Sequence, residues 1–250
     1  MCLITFAYEM HPKYKLIVVA NRDEFYLRPT ATATWWKEYP NLLAGKDLKG
    51  QGTWMGFTKD GRFSALTNYR DGFSEKKNAP SRGDLVKDFL LSQNNASEYL
   101  NHIAPSAELY NGYNLLTFDG ENLGYFSNQI DNPQILEKGV YGLSNNILNR
   151  SWPKLNTAVS GLESLIEQEK FSINDAFEMM KNRTLASDEN LPNTNIPIDR
   201  ERLLSAMYIE TKDYGTRCST VFLLDYNGKF HFEERSYVPQ HRAVFKGKVF

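Results

Sequence analysis

The sequence is poor in everything that would mark a disulfide scaffold, a membrane span or a nucleic-acid binder. It holds only two cysteines, Cys2 and Cys218, which argues against a disulfide framework and fits a reducing compartment. No apolar run approaches the ~20 residues of a membrane-crossing helix. The N-terminus lacks a basic region followed by an apolar core and a small-residue cleavage site, so no secretory signal is expected. Formal net charge is -1, which leaves no global basic field to attract nucleic acid or an anionic membrane. His11, His102, His231 and His241 lack metal-ligand spacing with one another or with either cysteine, so no metal site is expected. These absences favour the cytoplasm and leave room for small anionic ligands held by local arginines.

Aromatic residues are plentiful, at 13% of the chain. Half-buried strands favour them, so they argue first for a β-rich core. With 41% hydrophobic residues over 250 positions, the chain is long enough for a sizeable core, and a single domain over residues 1–250 is expected.

Strand-like runs at Leu3–Tyr8 and Lys15–Ala20 read as a hairpin, the second run ending at the polar cluster Asn21-Arg22-Asp23-Glu24. A loop containing Pro and Thr follows. Thr53–Thr58 and Arg62–Thr67 then flank the tight turn at Asp60-Gly61. Ser81 and Asp84 suggest a capped helix with Leu85, Val86, Phe89 and Leu90 on one face. A further helix is read from Ser97 to Ile103, then strands at Tyr113–Phe118, Gly124–Ser127 and Val140–Leu143. Helices over 151–170 and from Ser172 onward come next, and residues 184–199 read as a long loop. Ser219–Tyr226 and Lys229–Arg235 close on an Asn227-Gly228 turn, the clearest hairpin of the sequence. Strands arriving as hairpins and helices in pairs disfavour a parallel sheet. They predict an α+β fold of two antiparallel sheets face to face with helices outside each, a four-layer αββα sandwich.

Candidate chemistry begins at Cys2. Removal of Met1 would put a thiol and a free α-amine on one residue, a nucleophile with its own general base. Four polar clusters lie at the predicted ends of strands: Asn21-Arg22-Asp23-Glu24, Thr67-Asn68-Tyr69-Arg70, Ser144-Asn145-Asn146 and Gly215-Thr216-Arg217. Such positions let a sheet aim side chains at a common pocket. Arg22 or Arg217 beside Cys2 would favour the thiolate. Asp23 can accept a hydrogen bond from the amine, and Asn68 and Asn145 carry amide donors suited to an oxyanion, worth about 3 kcal/mol each. Asn21, Glu24, Arg70, Trp54 and Asn146 are candidate ligand contacts. Cys218, at the start of a strand, reads as an inert core thiol. On a regular strand Arg22 shares a face with Glu24, and Asn21 with Asp23. Arg22 and Asp23 then both reach Cys2 only if the strand bulges or ends, which leaves open whether Asp23 or Glu24 holds the amine.

Several blocks taken together resemble the NRDE family, also called the transport and Golgi organisation family. They are Met1-Cys2, Asn21-Arg22-Asp23-Glu24-Phe25, Gly52-Thr53-Trp54-Met55-Gly56, Leu66-Thr67-Asn68-Tyr69, Tyr110-Asn111-Gly112-Tyr113-Asn114-Leu115, Tyr141-Gly142-Leu143-Ser144-Asn145 and Tyr214-Gly215-Thr216-Arg217. The family looks like a branch of the N-terminal-nucleophile (Ntn) hydrolases, distantly similar to cysteine amidases such as the choloylglycine hydrolases. The resemblance implies Cys2 as nucleophile, Arg22 and Asp23 as its partners, Asn68 and Asn145 on the oxyanion side, and Arg217 as a cation facing substrate or thiolate. It implies no required cofactor. It also admits a second reading, a carrier of haem, acyl-lipid or acyl-CoA that uses the same pocket.

Overall fold

The alternation of the N-terminal hairpin sets the layers of the molecule. In β1 (Cys2–Tyr8), Ile4, Phe6 and Tyr8 point to one apolar cluster and Leu3 and Ala7 to another. In β2 (Tyr14–Phe25), Leu16, Val18 and Ala20 oppose Ile17 and Val19 in the same way. A hairpin apolar on both faces must be covered on both, which places it inside a layered structure. The computed structural model describes residues 2–72, 76–168 and 170–249.

The hairpin lies inside a six-stranded antiparallel sheet with β10 (Gly139–Leu143), β11 (Tyr214–Asp225), β12 (Lys229–Tyr237) and β13 (Gln240–Lys248), in the order β10-β1-β2-β11-β12-β13. The second sheet has seven strands in chain order: β3 (Thr30–Trp35), β4 (Leu42–Asp47), β5 (Met55–Thr58), β6 (Phe63–Asn68), β7 (Tyr113–Phe118), β8 (Leu123–Ser127) and β9 (Gln134–Leu136). Between the sheets Phe57, Phe63 and Phe222 interlock, with Phe63 stacked on Phe222 at 5.0 Å. Outside the second sheet pack α1 (Arg82–Leu91) and α2 (Ala96–Ile103). Outside the first pack α3 (Pro153–Ile166) and α4 (Ile173–Met179). A short α5 (Ile198–Leu203) follows. The result is the expected αββα sandwich. No helix among the described residues is long and apolar enough to cross a membrane.

Local chemistry explains most element ends. The closing hairpin turns at Gly228, whose φ of 78° suits glycine. Asn95 and Glu98 form a reciprocal capping box at α2, and the Ser172 side chain accepts from the Asp175 backbone to start α4. Ser81 precedes α1 without a side-chain hydrogen bond, contrary to expectation, and the Asp84 carboxylate pairs with Lys87 at 2.8 Å.

Three sequence expectations change. The Asn21-Arg22-Asp23-Glu24 cluster does not end the strand but continues it, since β2 runs to Phe25. Polar side chains persist there because most of them find specific partners, described below. The segment expected as a loop before Thr53 contains β3 and β4. Its alternation of Thr and Ala, Thr30-Ala31-Thr32-Ala33-Thr34, is strand-compatible but weakly apolar, so the hydrophobic signal is faint. Finally, β13 extends the first sheet as an outer strand with its side chains mostly exposed, where hydrophobic alternation is again weak.

Candidate functional site

Strand register brings Cys2 and Arg22 together. Cys2 is directly opposite Arg22 on β2, and Arg22 is opposite Cys218 on β11. Residues opposed across an antiparallel pair share a face, so all three side chains point between the sheets. The Arg22 guanidinium lies over the Trp54 ring, 4.1 Å from its centroid, and its Nη1 donates weakly to Thr30 Oγ1 at 3.4 Å. Trp54 is thereby both a core residue and the stacking platform for Arg22. Cys218 remains buried and free, with burial pushing its thiol well up.

Above this floor opens a cleft of about 360 Å³, lined by Cys2, Arg22, Asp23, Glu24, Trp54, Leu66 and Asn68, with Arg28, Asp47 and the start of α1 on its far side. The far wall comes close because two glycines face each other. A Cβ on Gly52 would sit 2.5 Å from the Gly83 carbonyl carbon, so only glycine there admits the α1 N-terminus. Charges of alternating sign run outward along one side. Arg22 Nη2 lies 3.9 Å from Glu24 Oε2, Glu24 Oε2 lies 3.7 Å from Arg28 Nε, and Arg28 Nη2 lies 2.7 Å from Asp47 Oδ2. Burial pushes the Cys2 thiol up, Asp23 and Glu24 add to this, and Arg22 opposes it. A thiol raised by burial needs a base or a nearby cation to react.

Asp23 faces the other way. β2 is regular through the cluster, and the irregularity lies across from it, where the register with β11 slips between Thr216 and Cys218. Asp23 therefore points to the helix-covered face with Asn21, while bordering the cleft at the strand end. Its Oδ1 accepts from Thr216 Oγ1 at 2.7 Å, and burial pushes its carboxyl up. Asn21 is engaged behind the sheet: its Nδ2 donates to the carbonyls of Met180 at 2.9 Å and Met207 at 2.8 Å, and Ser219 Oγ donates to its Oδ1.

The two asparagines on the expected oxyanion side do different things. Asn68 ends β6 at the cleft wall. Asn145 is buried behind it and spends Nδ2 on the Asn68 carbonyl at 2.9 Å, while its own backbone carbonyl receives the Arg70 N–H at 2.8 Å. Its Oδ1 finds no hydrogen-bond partner among the described residues. Asn145 thus fixes the backbone that carries Asn68. Asn146 is half-buried, its backbone carbonyl accepting from Asn114 Nδ2 at 3.0 Å and its Oδ1 from the Ile147 N–H at 2.9 Å.

Neither Arg217 nor Arg70 lines the space above Cys2. Arg217 sits at the β11 irregularity and donates to the carbonyls of Phe25, Tyr26, Arg28 and Val238 at 2.8 to 3.1 Å, binding the turn after β2. Arg70 pairs with Glu201 at 2.7 Å and donates to Thr194 Oγ1 at 2.8 Å, tying the segment before α5 to the strand that ends at Asn68. Sequence reading missed Arg28 and Asp47, which reach the cleft from the turn after β2 and from the end of β4, two places that sequence does not juxtapose. Met1, whose removal the sequence leaves open, lies outside the described residues.

The family model described as Transport and Golgi organisation 2 matches residues 1–239. The Transport and Golgi organization protein 2 homolog of Bos taurus is 35% identical over 257 residues, covering 94% of this chain and 93% of its own length. The Drosophila melanogaster Transport and Golgi organization protein 2 is 26% identical over 265 residues, covering 94% and 92%. Among solved structures, a Caenorhabditis elegans N-acylethanolamine-hydrolyzing acid amidase ortholog superposes with a TM-score of 0.50 at 12% identity, covering 89% of this chain and 92% of its own. That likeness extends to the fold alone, the Ntn-hydrolase-like αββα sandwich. With that family model and these whole-length relatives, the chain belongs to the Transport and Golgi organisation 2 family.

Proposed function

We propose that this protein is an N-terminal cysteine amidohydrolase or acyltransferase, acting in the cytoplasm on the amide or thioester of a small, partly apolar acyl compound. The observation that carries this is the register pairing of Cys2 with Arg22 at the floor of an open cleft. Cys2 opens β1, so its α-nitrogen lies at a strand end beside the cleft that Asp23 also borders.

With Met1 removed, the α-amine takes the Sγ proton as sulfur attacks the acyl carbon, and a C–S bond forms. Asn68 donates to the developing oxyanion. The C–N or C–S bond to the leaving group breaks as the ammonium returns the proton to it. Water, or an acceptor amine or thiol, then attacks the acyl-cysteine, its proton passing through the same amine back to Sγ. A thiol raised by burial gains most from an adjacent base, which suits this sequence. A second reading, a carrier of haem or acyl-CoA, rests on the Arg22–Trp54 stack, which can hold a carboxylate or phosphate without any reaction at Cys2.

Intact mass of the purified protein, before and after incubation with an acyl thioester or a lactam, tests both. Loss of Met1 with one acyl adduct on Cys2 is the expected result. Retained Met1 without an adduct overturns the enzyme, and haem or acyl-CoA binding that survives Cys2→Ala but not Arg22→Ala would then assign the carrier.

A further inference from the structure

Alternation in the last two strands sends Phe230, Phe232 and Phe245 between the sheets. The opposite face of β12 and β13 carries a charge pattern that neither the core nor the proposed chemistry uses. In register Lys229 opposes Lys248, His231 opposes Lys246 and Arg235 opposes Arg242, so basic side chains face basic side chains across the pair. Like charges directly opposite each other are destabilising. Glu233, opposite Val244, is the one carboxylate that these strands place on this face. It accepts from Arg235 Nε and Arg242 Nε at 2.9 Å and so offsets the arginines. The lysines have no such partner: among the described residues Lys229, Lys246 and Lys248 form no salt bridge, and all three are exposed.

Five lysines and arginines against one carboxylate make a strongly positive face on a chain whose formal net charge is -1. Salt screens exposed charges beyond about 8 Å, so what adheres here is decided by these groups and not by the total. Edge-strand lysines also guard against the addition of another strand. That duty falls on β13 alone and calls for no cations opposite them on β12. The face lies away from the cleft as well. Cys2, Arg22, Cys218 and Ser236 share one row across the sheet, and Lys229 stands about 23 Å further along β12.

The side chains on this face fit an anionic bilayer better than a nucleic acid. Val244, 40% exposed, stands between Arg242 and Lys246 on the same face, and Tyr226, 52% exposed, sits in the turn that leads into Lys229. Lipid headgroups take up an apolar side chain and an interfacial tyrosine beside cations. Nucleic-acid strands call instead for open aromatic faces on which bases stack. The aromatic residue on this face, Tyr237, is already engaged with the Tyr208 ring at 5.1 Å and with Ser219 Oγ at 2.9 Å. We propose that the outer face of β12 and β13 is a docking surface for an anionic lipid bilayer, with Lys229, Arg242, Lys246 and Lys248 against the headgroups. It requires no reaction at Cys2.

Sedimentation of the full chain with vesicles tests this, using phosphatidylcholine alone and phosphatidylcholine mixed with phosphatidylserine. The wild type should bind the mixed vesicles only, and less as salt rises. Each cation near an anionic surface is worth about fivefold in partitioning, so the triple variant Lys229→Gln, Lys246→Gln, Lys248→Gln should lose roughly a hundredfold. All three positions are exposed, and thermal unfolding close to wild type shows that the loss is not one of folding. Lys246→Glu alone serves the same comparison if the triple variant does not fold. Val244→Asp should weaken binding as well, whereas Cys2→Ala should leave it unchanged. Equal binding to both kinds of vesicle, no binding to either, or full binding by the folded triple variant overturns the proposal. So does a wild-type chain that retains a single-stranded oligonucleotide and leaves the mixed vesicles in solution, which would assign the face to nucleic acid.

Discussion

Arg22 lies over the indole of Trp54 at 4.1 Å, joining the central strand of one sheet to the strand entry of the other at the floor of the cleft. The contact is a cation–π interaction between largely desolvated groups, worth on the order of 1–2 kcal/mol. Its removal should be felt in both stability and site geometry. Trp54→Ala should lower the unfolding free energy by about 3–5 kcal/mol, whereas Trp54→Phe, which keeps a ring beneath the guanidinium, should lose roughly half of that or less. Urea unfolding of the two variants checks the ranking.

Changing Arg22 itself should alter the reactivity of Cys2. Arg22 opposes the burial, Asp23 and Glu24 effects that push the thiol up. Without the cation the thiolate becomes harder to form, so the pH profile of Cys2 alkylation should move to higher pH in Arg22→Gln and stay near wild type in Arg22→Lys. Iodoacetamide kinetics read by peptide mass separate Cys2 from Cys218. A profile that moves to lower pH would contradict the geometry.

Asn21 should behave as a structural residue. Its amide satisfies the Met180 and Met207 carbonyls, which tie β2 to the helical layer. Asn21→Ala strands two buried acceptors, and the expected cost is roughly 2–4 kcal/mol. The loss should appear in thermal unfolding, while any ligand affinity measured on the remaining folded protein stays close to wild type.

Acid sensitivity should reside partly in Glu233. It accepts from Arg235 Nε and Arg242 Nε at 2.9 Å and pairs with His231 Nε2 at 3.1 Å. Burial acts to raise its carboxyl, but these partners win and hold it below the ordinary value of 4.5. A carboxyl depressed in the folded state contributes stability above its unfolded value and loses it as pH falls through the folded one. Wild-type stability should therefore decline below about pH 4.5, and Glu233→Gln should be less stable near neutrality with a shallower acid decline. Denaturant unfolding at pH 3 to 7 reads the two slopes.

Much of the layering was legible in the residues. Ile4-Phe6-Tyr8 against Leu3-Ala7 announces a strand buried on both faces, Asn227-Gly228 fixes a hairpin, and Ser172 with Asp175 starts a helix. The cluster at Asn21–Glu24 misleads, because polarity in sequence reads as solvent. Inside a folded sheet the same side chains become buried partners once Met180, Met207 and Thr216 arrive from more than 150 residues away. β3 and β4 were hidden for a related reason, since strands are stabilised by neighbours in space more than by local preference.

By itself the sequence determined the αββα layering, the place of Cys2 at the start of a central strand and the set of polar residues gathered at strand ends, because side-chain alternation and turn chemistry are local. Only the tertiary structure decided which of those residues meet. Register puts Arg22 beside Cys2 on the inter-sheet face and Asp23 on the other, sends Asn145 behind Asn68, and turns Arg217 and Arg70 to backbone carbonyls and Glu201. Those outcomes depend on pairing between distant strands and on helices laid over them, and a one-residue change of register would reverse every face.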